Sequence, residues 1–338
     1  MRVSVIIPSL NEGGFISEMI ESLIVQDFPK DEWEVLIVDG GSEDNTREIV
    51  RSYQDTCPWI KLLDNPNKVV PHAMNIGIRE SLGDVIVRMD AHSRYPSNYV
   101  SRLLKVQEDT QADNVGGVWE TIPGSDSDVA LAIALATSHP FGIGNAAYRL
   151  ENESIKEVDT VPYGCYPRKV FEQIGYYDED LVRNQDDELN GRLIAAGGKI
   201  VLIPDLKIKY SARPTWKKMM RMFYQYGMYK PLVNRKLGKP ATWRQFIPPA
   251  FVLVAIILIS SLFFTSTSIT QLIFSLIYLL SALGIALVIA LRKVKFSMLF
   301  LIPITFLLIH LSYGCGYWMG VWSFLIHGRS SQYLNSSR

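Results

Sequence analysis

Three groups of acidic residues stand where a chain could use them for chemistry. Asp90 and His92 flank a single alanine directly after the apolar run VIVRM at 85–89. Two ligands at i and i+2 just past a strand end can face one ion. A divalent cation held there can bridge the oxygens of a diphosphate and neutralise the charge of a leaving group. A carboxylate with an imidazole suits manganese somewhat better than magnesium. A solvated turn is the alternative, since Asp-x-His is common at the start of a loop. Asp39 closes a second apolar run, VLIV at 35–38. It is placed either to accept hydrogen bonds from a ribose or a nucleobase N–H, or simply to form the turn. Asp186 and Asp187 lie in QDDEL at 185–189, at the opening of a helical stretch. A carboxylate there is either a general base, which must come within hydrogen-bond reach of an acceptor hydroxyl, or a partner of the helix dipole. GIGNAA at 142–147 has the outline of a dinucleotide fingerprint, but it does not follow the first strand of a βαβ unit, so nicotinamide and flavin binding are set aside. No GxxxxGK[ST] phosphate loop is present.

These residues need a scaffold that brings distant positions together, and the first half of the chain predicts one. Val3–Ile7, Trp33–Val38, Ile60–Leu63 and Val85–Met89 are short apolar runs that suit buried strands. Between them, Phe15, Ile16, Met19, Ile20, Leu23 and Ile24 repeat with helical spacing. Ser42 and Asp44 are candidate N-caps for a helix carrying Ile49, Val50 and Tyr53, and a third helix runs from about Pro71 to Glu80. Alternation of this kind predicts an α/β fold with a mainly parallel central sheet. Ligands on such sheets bind beyond the carboxyl ends of the strands. Ser9, Asn11 and Glu12 follow the first strand, Asp39 the second, and Asp90 with His92 the fourth, so the polar positions converge on one crevice. Farther on, Gly116–Thr121 and Val158–Val161 read as strands, and Arg168–Ile174 and Glu188–Ala196 as helices.

Composition bounds the rest. The 338 residues carry 34 basic and 34 acidic side chains, so the basic excess of a nucleic-acid-binding protein is missing. Three cysteines, Cys57, Cys165 and Cys315, share no short spacing, which predicts neither a disulfide framework nor a zinc site and is compatible with a reducing cytoplasm. Apolar structure begins at Val3, so no cleavable leader is expected. Phe246–Phe264, Ile269–Leu291 and Phe296–Ile326 contain no Asp, Glu, Lys or Arg. A bilayer core needs about 20 apolar residues of helix, so three spans is the simplest count, with Ser312–Gly320 packing against a neighbour or breaking. Arg235, Lys236, Lys239 and Arg244 precede the first span, and Arg292, Lys293 and Lys295 separate the second from the third. The positive-inside rule then puts the N-terminal domain in the cytoplasm, the uncharged 265–268 turn outside, and the tail outside as well. Trp216–Tyr229 mixes apolar residues with Lys217, Lys218 and Arg221, as in an amphipathic helix at the membrane surface; an ordinary packing helix is the alternative. The expected division is a domain over 1–210, a membrane-proximal segment over 211–244, a membrane region over 245–328, and a tail over 329–338.

Taken together, VSVIIPSLNE at 3–12, VDGGSEDNT at 38–46, NIG at 75–77, GD at 83–84, DAH at 90–92 and DDEL at 186–189 followed by Arg192 resemble glycosyltransferase family 2, whose members have the GT-A fold. Asp90-Ala-His92 and RNQD at 183–186, with the C-terminal spans, look most like the succinoglycan-biosynthesis (ExoA-like) subgroup. The resemblance implies an inverting, metal-dependent hexosyltransferase at the cell membrane. It implies that Pro8, Ser9, Asn11, Glu12, Asp39, Asn75 and Asp90 line the site of a UDP-sugar donor, most simply UDP-glucose. Asp90 and His92 would hold a Mn or Mg ion, and Asp186 would be the base, with Asp187 as the alternative. The acceptor would be a lipid-linked glycan in exopolysaccharide or other cell-surface glycan assembly, beside other polysaccharide-assembly proteins. The sequence departs from the family pattern at Gly40, His92 and Gln185, where acidic residues are usual. The Gln-x-x-Arg-Trp motif of processive synthases is absent, since Gln225 is followed by YGMY, and this favours one sugar per acceptor. A polyprenyl-phosphate glycosyltransferase, a processive synthase, and a non-catalytic nucleotide-sugar-binding membrane component are the rival readings.

Overall fold

The computed structural model describes residues 1–150, 153–240, 242–261, 269–293 and 295–329. The expected 265–268 turn and nearly all of the 329–338 tail lie outside the described residues. Strands β1 (Val3–Ser9), β2 (Trp33–Asp39), β3 (Ile60–Asp64) and β4 (Val85–Arg88) run parallel in the order β3-β2-β1-β4. Helices α1 (Ile16–Ile24), α2 (Thr46–Gln54) and α3 (Val70–Glu80) form the crossovers. Because side chains alternate across a strand, β1 feeds both faces of the sheet. Val3, Val5 and Ile7 pack with Ile16, Met19 and Val50 on one face, while Ile6 packs with Met74 and Ile78 on the other. The strand order reverses at β1, which has β2 on one side and β4 on the other, and open α/β sheets bind ligands beside such a reversal.

The chain continues through β5 (Ser93–Arg94), α4 (Tyr99–Thr110), β6 (Asn114–Ile122), α5 (Asp128–Ala136), α6 (Pro140–Ile143), β7 (Lys156–Glu157), β8 (Cys165–Pro167), α7 (Arg168–Ile174), α8 (Gln185–Ala195) and β9 (Ile200–Ser211). Here the sheet becomes antiparallel: β8 lies between β4 and β6, and β9 pairs with β5 and β7. The strand expected at Val158–Val161 does not form. Pro162 has no ladder donor to offer, and Tyr163 adopts a φ of 56°, so the chain kinks and Cys165–Pro167 takes the place beside β4.

The molecule divides into two compact units. One holds 1–120 and 147–210; the other joins 121–146 to the segment from 211 onward. An uninterrupted 1–210 domain was expected, and the difference lies in α5. Its sequence DVALAIALA is apolar on every face and therefore has no amphipathic stripe to read. In the structure Ala132, Ile133 and Ala136 belong to the same core as Ile302, Phe306 and Ile309. The second unit also contains α9 (Trp216–Leu237), α10 (Ile247–Ser261), α11 (Ile269–Lys293) and α12 (Met298–Gly320). Among the described residues three stretches are long and apolar enough to cross a membrane: Trp243–Ser260, Ile273–Lys293 and Met298–Ile326. α9 packs along α12, where Gly316 and Gly320 face the backbone of Tyr224 and Met228, so the Ser312–Gly320 section packs rather than breaks.

Gly83 tests the close approach on which the β1–β4 pair depends. Its N–H donates to Ser4 Oγ at 2.8 Å, and a Cβ added there would lie 2.6 Å from Ser4 N and from Val3 C. Neither neighbour can rotate away. Gly83→Ala is therefore expected to destabilise the domain by about 1–3 kcal/mol, read as a lower thermal midpoint of the detergent-solubilised protein. An unchanged midpoint would contradict this packing.

Candidate active site

Buried ion pairing between strand and helix ends sets the site. β4 ends in Arg88, whose side chain turns inward and is only 5% exposed. Its Nε and Nη2 donate to Asp90 Oδ1 at 3.2 and 3.1 Å, and its Nη1 donates to Asp186 Oδ1 at 2.6 Å. One guanidinium thus joins the carboxylate after β4 to the carboxylate in the first turn of α8. Within the described residues only the Oδ1 atoms of Asp90 and Asp186 take part in these bonds. Burial disfavours the charge on Arg88, but Asp186 and Asp90 more than offset it and keep the group protonated. Desolvation raises the Asp186 carboxyl above its ordinary value; Arg88 opposes the shift, and the like charges of Asp90 and Asp187 add to it. Asp187 is the next residue of α8 and is half-buried. Glu188 is turned away into a bidentate pair with Arg192, at 2.6 and 2.8 Å, and has a structural role.

Aromatic side chains hold the other side of Arg88. Its guanidinium carbon lies 5.9 Å from the centre of the Tyr163 ring. Tyr163 in turn shares a 2.8 Å hydrogen bond with Ser93, and the Asp90 N–H donates to the Tyr95 hydroxyl at 2.8 Å. The backbone at Asp90 is therefore fixed as well as its carboxylate. His92 reaches back to the loop after β1, with Nδ1 3.5 Å from Glu12 Oε1.

A second cluster joins the ends of β1 and β2. Asp39 is fully buried, and its carboxylate accepts hydrogen bonds from Gly41 N–H, Ser42 N–H, Arg47 Nη1, Ser9 Oγ and Ser42 Oγ. Burial alone would raise its pKa, but the bonds from Ser42, Arg47 and Ser9 outweigh it and hold the carboxyl below its ordinary value. Asp39 thus organises the turn after β2. Asn11, at a φ of 56°, ties the two loops together: its N–H donates to Ser42 Oγ and its Oδ1 accepts from Glu43 N–H, each at 2.8 Å. Asp44 accepts from Gly13 N–H and from Thr46 N–H, so it satisfies the first turn of α2, whereas Ser42 serves Asp39 and Asn11 instead. Pro8, the last β1 residue before Ser9, pairs in register with Val38.

Asn75 is not brought into either cluster. Its Nδ2 donates to Tyr177 O and Glu179 Oε1, and its Oδ1 accepts from Tyr177 N–H, so its amide hydrogens are spent on fixing the 177–179 loop. Arg88 and Arg47 went unread in the sequence, each being a single cation with no motif of its own. The available signal was an arginine within an otherwise apolar strand two residues before an aspartate.

The family model described as glycosyl transferase family 2 matches residues 4–175. Over 337 residues the chain is 27% identical to a dolichyl N-acetyl-alpha-D-glucosaminyl phosphate 3-beta-D-2,3-diacetamido-2,3-dideoxy-beta-D-glucuronosyltransferase of Methanococcus voltae, covering 97% of this chain and 98% of that one. It is 33% identical over 229 residues to the succinoglycan biosynthesis protein ExoA of Rhizobium meliloti, covering 67% of each chain. Among solved structures it is similar in fold to the mannosyltransferase PcManGT from Pyrobaculum calidifontis in complex with GDP-Man and Mn2+. That match has a TM-score of 0.63 and 19% identity, over 92% of this chain and 86% of that one.

The depressed Asp39 carboxyl makes a pH-dependent prediction. A group whose folded pKa lies below its unfolded value of about 3.9 contributes stability above that value and loses it as pH falls through the folded pKa. Asp39→Asn, which keeps the shape and removes the charge, is expected to cost about 1.5–3 kcal/mol at neutral pH. The difference from wild type should shrink in acid. Thermal midpoints recorded from pH 7 down to pH 3 check this, and a gap that does not narrow would contradict the assignment.

Proposed function

This chain belongs to glycosyltransferase family 2, and on that premise we propose that it is an inverting, non-processive hexosyltransferase working from the cytoplasmic face of the cell membrane. The donor is a nucleoside diphosphate hexose, with UDP-glucose as the working choice. The acceptor is a lipid-linked glycan in cell-surface polysaccharide assembly, where other assembly proteins supply and remove it. The observation that carries the reading is the shared guanidinium: carboxylates almost a hundred positions apart are held together at the carboxyl end of the sheet, where such folds bind nucleotides. The lipid-linked acceptor is supported by the apolar helices and by the M. voltae relative, whose name specifies a dolichyl-linked sugar phosphate.

In this reading the donor lies along the β1, β2 and β4 ends, beside Pro8, Ser9, Asn11, Glu12 and the turn that Asp39 organises. Asp186 takes the proton of the acceptor hydroxyl. The acceptor oxygen then bonds to the anomeric carbon as the bond from that carbon to the diphosphate breaks, the nucleoside diphosphate departs, and the configuration inverts. Arg88 keeps Asp186 pointed at the acceptor and ionised despite its burial. The direction of the shift suits the role, because a carboxylate whose pKa is raised is a stronger base.

The residues present fit a divalent cation held largely by the substrate. Among the described residues no group of three or more His, Cys, Asp or Glu gathers at one point. A Mg or Mn ion bound by one or two side chains and by phosphate oxygens needs no such group. Asp90 and His92 would hold it, and it would supply charge neutralisation for the departing diphosphate.

Two sets of measurements test the proposal. A panel of UDP-, GDP- and TDP-hexoses with membrane extract as acceptor should give acceptor-dependent release of UDP; release of GDP alone would move the donor to the class seen with PcManGT. Asp186→Asn should lose about 10²–10⁴-fold in kcat while still binding UDP, and full turnover would remove Asp186 as the base. Arg88→Gln should lower kcat more than it raises KM. Because the base works only when deprotonated, loss of the guanidinium should also shift the acid limb of the kcat profile to higher pH, with Arg88→Lys intermediate. An unmoved limb would show that Arg88 does not act on Asp186.

A further inference from the structure

One turn beyond Asp186, on the same face of α8, stands a second polar side chain that the site does not account for. Asn190 is fully buried, and residues at i and i+4 of a helix lie one above the other. Its Oδ1 accepts from Asn114 Nδ2 at 2.9 Å and from the Tyr166 hydroxyl at 3.4 Å, and its Nδ2 donates to Thr160 Oγ1 at 2.8 Å. Asn114 is on β6, Tyr166 on β8, and Thr160 in the loop before β8. All four side chains are buried.

This cluster is an expensive way to fill a core. Asn114 Oδ1 is buried with no hydrogen bond among the described residues, and such a group loses its hydration without return. Apolar side chains of the same size would fill the space without that cost. What they could not supply is register. Leucines pack almost equally well after a small slide or roll of the helix, whereas a buried amide keeps its partners in one position only, as a single buried asparagine does in a coiled coil.

The register concerned is that of the ion pair. A Cβ on Gly164 would lie 2.4 Å from Asn114 Oδ1, so Asn114 packs directly on the chain just before β8. The Gly164 carbonyl accepts from the Arg88 N–H at 3.0 Å. Asn114 therefore touches the segment that holds the Arg88 backbone and, through Asn190, the helix that carries Asp186. The Arg88–Asp186 bond at 2.6 Å spans the same two elements. We propose that Asn190, held by Asn114 and Thr160, is a positioning residue for the Asp186 carboxylate, fixing the slide and roll of α8 against the strand that carries Arg88. The assignment rests on Asp186 as the base proposed above.

The test uses the full-length detergent-solubilised protein with three variants. Asn190→Leu keeps the volume and removes both bonds. Thr160→Val removes one acceptor at constant shape, and Thr160→Ser restores it. Arg192 still ties α8 to the Tyr176 carbonyl at 2.7 Å in all three, so the helix stays docked. A displacement of about 1 Å at a reacting group can cost about 10²-fold in rate. Asn190→Leu is accordingly expected to lower kcat by about 10–100-fold, Thr160→Val by less, and Thr160→Ser hardly at all, with donor KM and UDP affinity unchanged. The acid limb of the kcat profile should move to higher pH in Asn190→Leu, because Arg88 then holds the carboxylate less closely. Amide hydrogen exchange over 185–189 should be faster in Asn190→Leu and Thr160→Val and restored in Thr160→Ser. Unchanged kcat in Asn190→Leu, or equal losses in Thr160→Val and Thr160→Ser, overturns the proposal. Should Asn190→Leu fail to fold, the Thr160 pair decides it. Full turnover by Asp186→Asn would strike the base reading itself; with Asp186→Asn inactive, an unaffected Asn190→Leu overturns only the positioning role.

Discussion

A buried guanidinium must be paired, because an isolated charge in a low-dielectric interior is too costly to keep. Arg88 meets that requirement with two carboxylates from different parts of the chain, and the candidate site is the consequence. Asp90 follows it by two residues and Asp186 comes from the start of α8, so the pairing fixes the helix end against the strand end. Without the cation the two carboxylates would repel. With it they stay close, one oxygen of each engaged by the guanidinium. The packing around them has the same purpose: Tyr163 covers the guanidinium and Tyr95 holds the Asp90 backbone.

The loops after β1 and β2 follow a parallel logic with less room for ligand chemistry. Asp39 spends its carboxylate on the turn, and Ser9, Ser42 and Arg47 are its donors. Any nucleotide contact there would come through the shape that this aspartate imposes on 9–13 and 40–42. Arg47 also pairs with Asp64 at the end of β3, at 2.7 Å, so two strand ends are tied by one side chain.

Much of this was legible in the sequence, for identifiable reasons. Buried parallel strands are continuous apolar runs, and β1, β2 and β4 end within a residue or two of where the runs stop. Asp39, Asp90, His92 and Asp186 were visible because carboxylates at strand and helix ends stand out against apolar neighbours. Arg88 was hidden because a long cation in a strand normally points to solvent, and only the fold supplies the Asp186 that lets it point inward. Asn75 matched a family motif, yet its amide is spent on the backbone of Tyr177, a partner more than a hundred residues away that no local pattern announces. α5 was hidden for the opposite reason. Covered on nearly every side, it has no periodic face, and only its packing with α12 reveals that 121–146 belongs with the apolar helices. Hydropathy identified α12 by its composition, but the cationic helix lying along it cannot be read from a window of one segment.

The central claim is that Asp90 and Asp186, joined by Arg88, form the two sides of one donor-and-acceptor site. A structure of the intact chain with UDP and Mn2+ tests it most directly. The diphosphate should lie against the Asp90 carboxylate and beside His92, with Arg88 still bonded to Asp186 and the Asp186 carboxylate facing the space where the sugar would sit. A nucleotide bound away from Asp90, or an Asp186 turned out of that space, would contradict the account.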